Sequence, residues 1–418
     1  MKVALIGAGQ RGNIYAGYMK EKMGVEIAAI VDVSKEKLSV AKEKYEVKDE
    51  FCFDSFEKFI DAGLKLDGVI IATMDRDHYR ETIACLNAGY DILLEKPVSP
   101  DPKECMEILE TAKKTGRRIL VCHVLRYTNF FAAIKRIIDS GELGRVVNIE
   151  HAENVGNFHM AHSFVRGNWR NSDESSPIIL QKSCHDMDIL VWLTGSRASK
   201  ISSFGELTYF KKENAPDGST DRCLECPVHD KCRFDVRKAY LPVRGGWPAE
   251  VICKDQSEEG LMEAFKTSPY GRCVYKCDNN VCDHQVTTIL FENGVTATFN
   301  LSGLTNKMHR VIKVMCENGE IYGDDYSNDI VVTSFSSNAL YEGESRIMNV
   351  VSEEGFHGGG DYGLTKDFVS LIEHDDAKAL SGIEKSIESH MMAFAAEEAR
   401  VTGKVVNMEE FRKRWENR

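Results

Sequence analysis

Short apolar runs alternate with longer amphipathic stretches over the first third of the chain. The runs at 3–6, 27–31, 68–72, 90–94 and 118–122 are almost continuously apolar, the pattern of strands buried on both faces. Between them, residues 13–23, 35–45, 77–88 and 102–115 suit amphipathic helices. Strand–helix alternation predicts a doubly wound parallel sheet whose ligands sit beyond the carboxyl ends of the strands. The pattern changes near residue 124. A helix at 130–140 is followed by alternating runs at 145–151, 199–208, 285–292, 295–302 and 309–316. Asn293-Gly294 lies between two of these runs and predicts a tight hairpin, and Glu317-Asn318-Gly319 repeats the device. Two amphipathic helices, 362–373 and 382–403, pack back on the body. Residues 207–282 have no clear period and hold most of the clustered cysteines. The expected organisation is therefore a first domain at 1–123 and an α/β domain at 124–418, interrupted by a Cys-rich insertion at about 207–282.

Composition narrows the function. The 418 residues carry a net charge of −12 with no dense basic stretch, which argues against a nucleic-acid partner. No apolar run is long enough to span a bilayer, so no membrane partner is expected. A strand that starts at once leaves no room for a signal peptide. Thirteen cysteines in a chain of that kind are expected to be reduced thiols, some able to hold metal, in a cytoplasmic protein.

Gly7-Ala8-Gly9-Gln10-Arg11-Gly12 follows the first apolar run and opens the first helix. Gly7 permits the tight turn, Gly9 lets phosphates approach the backbone, and Gly12 lets helix and strand pack closely. Free N–H groups at the helix start would face a pyrophosphate. Asp32, at the end of the second run, can accept from a ribose hydroxyl and would repel a 2′-phosphate, which favours NAD over NADP, although Lys35 nearby softens that preference. The fold class expected is α/β: an N-terminal Rossmann doubly wound parallel sheet plus a C-terminal α/β domain with an open, mostly antiparallel sheet.

Four further motifs carry a family resemblance: Ala72-Thr73 with His78 downstream, Glu95-Lys96-Pro97, His185-Asp186-Met187-Asp188, and Trp192-Leu193-Thr194-Gly195. With the glycine loop, they make the chain resemble the glucose–fructose oxidoreductase / inositol dehydrogenase (Gfo/Idh/MocA) family over nearly its whole length outside the insertion. The resemblance implies oxidation of a hydroxyl on a sugar, cyclitol or related polyol. It implies cofactor contacts from Gly7, Gly9, Gln10, Arg11, Gly12, Asp32, Thr73, His78, Glu95 and Lys96. Alcohol oxidation needs a hydride path and a base. Lys96 would orient and acidify the hydroxyl, aimed by a cis Lys96–Pro97 bond, and His185 would take the proton. Gln181, His185 and Asp188 fall at i, i+4 and i+7 of an expected helix at 179–193. The family pattern has an aspartate where Gln181 stands, and an amide cannot take a proton. Either His185 acts without it, or Asp186 or Asp188 compensates, or the reaction differs from plain dehydrogenation.

Residues 151–170 include His159, His162, Arg166 and Trp169, a combination suited to a sugar-binding wall, with a plain surface loop or a His159/His162 metal site as the other readings. Arg126, Tyr127, Gln181 and the run His357-Gly-Gly-Gly-Asp361 are further pocket candidates. Cys223, Cys226, Cys232 and Cys273 suit structural zinc, with Cys277 able to replace Cys273. An unbound thiol cluster and an iron–sulfur cluster are the alternatives; far from the nicotinamide in sequence, the cluster is expected to stiffen the insertion and to take no part in catalysis. Besides the dehydrogenase, two functions fit: a redox-neutral NAD-dependent glycosidase that oxidises, eliminates and re-reduces, and a sugar-sensing dinucleotide-binding regulator. The partners expected are a small carbohydrate-like substrate and further copies of the chain, as a homodimer or homotetramer.

Overall fold

The apolar runs of the first third become β1 (Lys2–Ile6), β2 (Glu26–Val31), β3 (Cys52–Phe53), β4 (Gly68–Ile71), β5 (Asp91–Leu94) and β6 (Ile119–Val121). In this computed structural model, which describes residues 1–351, 356–374 and 376–416, they form one sheet in the order β3-β2-β1-β4-β5-β6, every pair parallel. Every residue of β4, β5 and β6 is buried, as expected for strands covered on both faces. The helices between them carry their own stop signals. Gln10–Met23 ends on Gly24 in the left-handed region, and Pro102–Thr115 starts on an Asp101 cap 2.8 Å from the Lys103 amide and ends on left-handed Gly116. Strand order turns back between β1 and β4, so the crevice of this sheet opens at their carboxyl ends.

The second sheet has nine strands: β7 (Val146–Asn154), β8 (Ala198–Glu206), β9 (His284–Phe291), β10 (Thr296–Ser302), β11 (His309–Cys316), β12 (Gly319–Asp324), β13 (Asp329–Ser334), β14 (Glu344–Asn349) and β15 (Val406–Asn407). Their order is β14-β13-β12-β11-β7-β10-β9-β8-β15, and only the central β7–β10 pair is parallel. Gly294, at φ +86°, turns the β9–β10 hairpin expected from Asn293-Gly294. Alternation then puts Gln285, Thr287, Ile289 and Phe291 of β9, and Ala297, Phe299 and Leu301 of β10, on the buried face.

The end of the chain returns to the first sheet. Leu364 and Phe368 of the Gly360–Glu373 helix join the cluster of Val3, Leu5, Ile70 and Leu93. The Val121 amide donates to the Ser381 carbonyl at 3.0 Å, and His390 of the Ile383–Thr402 helix accepts from the Val98 amide at 2.9 Å. One expectation needs correction. The helix expected at 179–193 is two pieces, Ile178–Gln181 and Cys184–Thr194, because the backbone at Ser183 (φ −99°, ψ 8°) leaves the helical region. The insertion has a small core of its own, built from Cys223, Val236, Tyr240, Ala249, Leu261 and Phe265, and its Glu250 reaches Gln10 of the glycine loop. Among the described residues no helix is long and apolar enough to cross a membrane.

Candidate active site

At the end of β1 the glycine loop is held by close packing. A Cβ on Gly7 (φ +89°) would stand 2.5 Å from the Ala72 carbonyl oxygen, and one on Gly12 would stand 2.2 Å from that of Gly7. A Cβ on Gly9 would meet nothing within 4 Å, so the loop presents open space there. Gly9 caps the following helix without a side chain, which leaves first-turn N–H groups for an anion. Asn13 braces the loop through the Ala8 and Gly9 carbonyls at 2.7 and 2.9 Å. The Asp32 carboxylate accepts from the Ala8 and Ser34 amides at 2.9 and 2.8 Å, which sets it at the mouth of the crevice. These residues fit a dinucleotide.

Arg11 turns away from the loop. Its guanidinium bonds Glu95 at 2.8 Å, Tyr15 and buried Asp361, so it ties the glycine loop to the end of β5 and to the Gly360–Glu373 helix. His357, in the left-handed region, lies 3.0 Å from the same Asp361 carboxylate. Glu95 also accepts from Tyr15 at 2.6 Å and from the Lys96 amide at 2.9 Å. Burial works against its charge, but Arg11 and Lys96 outweigh it and hold the carboxyl below the usual range. Thr73 donates to Glu81 at 2.6 Å, and His78 donates through Nδ1 to the Pro97 carbonyl at 2.7 Å. The Lys96–Pro97 bond is cis. His78 and His390 thus grip the loop after β5 from two sides, and the Lys96 Nζ extends to the Gln181 carbonyl at 2.8 Å.

His185 starts the helix beyond that carbonyl. Its Nδ1 is buried and has no hydrogen-bond partner among the described residues, and the ring meets His123 edge-on at 5.7 Å. Burial first, then Lys96 and His123, drives its pKa well below the ordinary histidine value, so it is a neutral imidazole at physiological pH. Neither aspartate beside it is at liberty. Asp186 accepts from His151 and from Arg310, each at 2.8 Å. Asp188 is held by Arg126 at 2.6 and 2.7 Å, with His123 Nε2 at 3.9 Å. Arg126 is thus an interior anchor whose guanidinium also lies over the Trp192 ring. Arg126→Met strands Asp188 in the interior and is expected to cost about 3–5 kcal/mol of stability. Urea unfolding measures this, and a loss under about 1 kcal/mol would mean that Asp188 has another adequate partner.

Three residues not singled out from the sequence join this site. Lys182, half-buried, lies 3.5 Å from Glu153, and Glu153 also pairs with Arg310. Burial lowers the Lys182 pKa, helped by Arg310 and Lys96 and opposed by Glu153. The position of Lys182 next to Gln181 was the one available signal. Glu153 and Arg310 meet only through the register of β7 against β11.

The 157–170 segment is a turn, Asn157–His159, running into a π-helical stretch, Met160–Arg166. His159 keeps an unpartnered, buried Nδ1, and its pKa is held well below normal by burial and by Lys182. His162 stacks on Tyr270 at 4.7 Å and lies 3.1 Å from the Tyr240 hydroxyl. Arg166 faces inward, donating to the Arg272 and Phe234 carbonyls at 2.8 and 2.9 Å and to the Cys223 sulfur. Trp169 packs on Phe164, and Tyr127 donates to Asp367. The insertion reaches across to this site: Glu250 accepts from Gln10 of the glycine loop at 2.8 Å, and Trp247 meets the His159 ring at 5.2 Å. Cys223, Cys226, Cys232 and Cys273 line one cavity, and burial raises the Cys223 and Cys273 thiols. They are free thiols, and among the described residues no three His, Cys, Asp or Glu side chains are grouped to hold a metal ion.

Family comparison agrees with this architecture. The Gfo/Idh/MocA models match in two parts, the oxidoreductase NAD-binding Rossmann fold over residues 1–123 and the C-terminal alpha/beta domain over 135–408. The putative oxidoreductase YteT of Bacillus subtilis is 24% identical over 359 residues, 82% of this chain and 81% of that protein. Inositol 2-dehydrogenase 4 of Saccharopolyspora erythraea is 28% identical over 53% of this chain and 61% of its own length. The scyllo-inositol dehydrogenase of Lactobacillus casei, solved with NAD(H) and scyllo-inositol, superposes with a TM-score of 0.67 at 18% identity, covering 98% of this chain and 99% of that one.

Proposed function

Since this chain belongs to the Gfo/Idh/MocA family of NAD-binding oxidoreductases, we propose that it oxidises a secondary hydroxyl of an inositol-like cyclitol, sugar or related polyol, with Lys96 and His185 as its catalytic pair. The observation that carries this reading is the nearness of the half-buried Lys96 ammonium, bonded to the Gln181 carbonyl, to the buried, neutral His185 imidazole whose charged form it opposes. Bound NAD supplies the acceptor for the hydride that leaves the substrate carbon. Lys96 donates to the substrate oxygen, holds it in line and favours its alkoxide character. His185 accepts the hydroxyl proton on its free nitrogen, and its depressed pKa keeps that nitrogen available at neutral pH. His123 packs edge-on against the imidazole and sets the orientation of its ring. Gln181 serves through its backbone carbonyl, which fixes Lys96, so its amide side chain needs no proton chemistry.

The names of the inositol dehydrogenases similar to this chain support a cyclitol substrate. The test is nicotinamide fluorescence of the purified protein given NAD and a panel of inositols, hexoses and aryl glycosides. NADH that accumulates with an inositol or sugar is the expected result. Release of the aglycone without NADH would replace this reading with the redox-neutral glycosidase, and silence with intact NAD binding would replace it with a regulator.

Asp32 sets the cofactor preference in this reading. Asp32→Ala is expected to erode the preference for NAD over NADP by at least about tenfold, since it removes both the ribose acceptor and the repulsion of a 2′-phosphate. The ratio of the two dissociation constants measures it, and an unchanged ratio overturns the role. The outward face of the nine-stranded sheet exposes Val147, Phe204, Val286 and Tyr322, which fits a homodimer or homotetramer assembled through that face, testable by sedimentation.

A further inference from the structure

The insertion places a half-buried indole against His159, a ring that lies within electrostatic reach of Lys182 and Lys96. Trp247 meets His159 edge-on at 5.2 Å and His162 at 5.8 Å. Pro248 and Ala249 behind it are buried, and Ala249 belongs to the insertion's own core. The same segment is fastened to the dinucleotide-binding half at two points, Glu250 to Gln10 at 2.8 Å and Lys254 to Glu36 at 3.6 Å. The segment that carries the indole is therefore held to the insertion core and the glycine loop, while the indole itself rests on the histidine segment. Next to it, His159 has a buried Nδ1 with no hydrogen-bond partner among the described residues. A flat apolar surface beside an unsatisfied polar atom is the pairing that a cyclic polyol requires, with its C–H face on the aromatic ring and a hydroxyl on the nitrogen.

We propose that Trp247 is a specificity-determining residue, contributed by the insertion, on which the ring of a cyclitol or pyranose packs while His159 takes one of its hydroxyls. This rests on the polyol-oxidising reading above. An open-chain polyol has no rigid C–H face to lay on the indole, so the enzyme favours cyclic over linear polyols and Trp247 supplies the difference.

The test compares wild type, Trp247→Phe and Trp247→Ala as full-length protein with NAD, using myo-inositol and glucose as cyclic probes and sorbitol as the linear one. Trp247→Ala is expected to raise KM for the cyclic substrate at least about tenfold with kcat within about threefold, and to bring the cyclic-to-linear ratio of kcat/KM close to one. Trp247→Phe, which keeps an aromatic face, should restore most of both. NADH affinity should stay within about twofold in all three, whereas a merely structural role would shift Tm and NADH affinity without changing the cyclic-to-linear ratio. Sugar-dependent quenching of tryptophan emission in the NADH complex should vanish in Trp247→Phe and persist in Trp415→Phe. A wild type that turns over a cyclic probe, with KM and selectivity unchanged in Trp247→Ala, overturns this assignment alone. A wild type silent to every probe in both turnover and emission overturns the polyol reading and this inference with it.

Discussion

Lys96→Met is expected to lower turnover by about a thousandfold or more while NADH binding stays within a few-fold of wild type. Methionine keeps the length and packing of the stem, so the loop gripped by His78 and His390 retains its form. What disappears is the ammonium that, on the proposed mechanism, donates to the substrate oxygen, and with it the bond to the Gln181 carbonyl. The effect belongs in kcat, because the interaction strengthens as charge develops on that oxygen. Lys96→Arg should not rescue the rate, since a planar guanidinium cannot replace a point charge reaching one carbonyl and one hydroxyl. Turnover numbers and fluorescence titrations of the purified variants check this. Retention of more than about a tenth of the wild-type rate would remove Lys96 from the chemistry.

The second large effect is loss of stability in mild acid. His123 is depressed to about 4 and His162 and His390 to about 3, all chiefly by burial, and His159 and His185 are shifted the same way. Unfolded, each would titrate near 6.5. Below that pH the unfolded chain binds protons that the native one refuses, so these groups contribute stability above pH ~6.5 that is lost as the pH falls toward their native values. Glu81 opposes them, because burial raises its carboxyl to about 7 and the native state takes that proton first. The shifts of His123, His162 and His390 against that of Glu81 alone leave a net loss on the order of 3 kcal/mol between pH 7 and pH 5, a large share of the whole stability of many domains. Urea unfolding at the two pH values measures it, and equal stability would mean that the buried imidazoles ionise without penalty. His390→Gln, which keeps an amide donor and acceptor, should make the slope shallower by about 1.4 kcal/mol per pH unit.

What was legible in the sequence is what short-range physics decides. The glycine loop, the apolar strands and the Asn293-Gly294 hairpin each follow from local sterics or period, and all three take the form expected of them. Lys96 and His185 were legible through motifs. The rest of the site depends on partners distant in the chain. Arg166 looked like part of a sugar wall because an arginine in a polar segment is usually exposed, yet three acceptors hold it inside. The spacing of Gln181, His185 and Asp188 is helical, but the backbone at Ser183 breaks the run and exposes the carbonyl that Lys96 needs. The insertion has no period to read, and its contact with Gln10 spans 240 residues. The cysteines are spaced as zinc ligands, and spacing alone did not group them at metal distance among the described residues.

The return of the Ile383–Thr402 helix to the first sheet has a consequence for how the molecule is made. His390, near the end of the chain, is one of the two side chains that grip the Lys96 loop, and Ser381 and Gly382 line the free edge of β6. During synthesis the first domain emerges long before either is translated, with that edge unpaired and that loop held on one side only. A ribosome must release about 300 residues beyond Lys96 before that lysine acquires its final setting. The first domain made alone would therefore carry a sticky sheet edge and an incompletely held Lys96 loop.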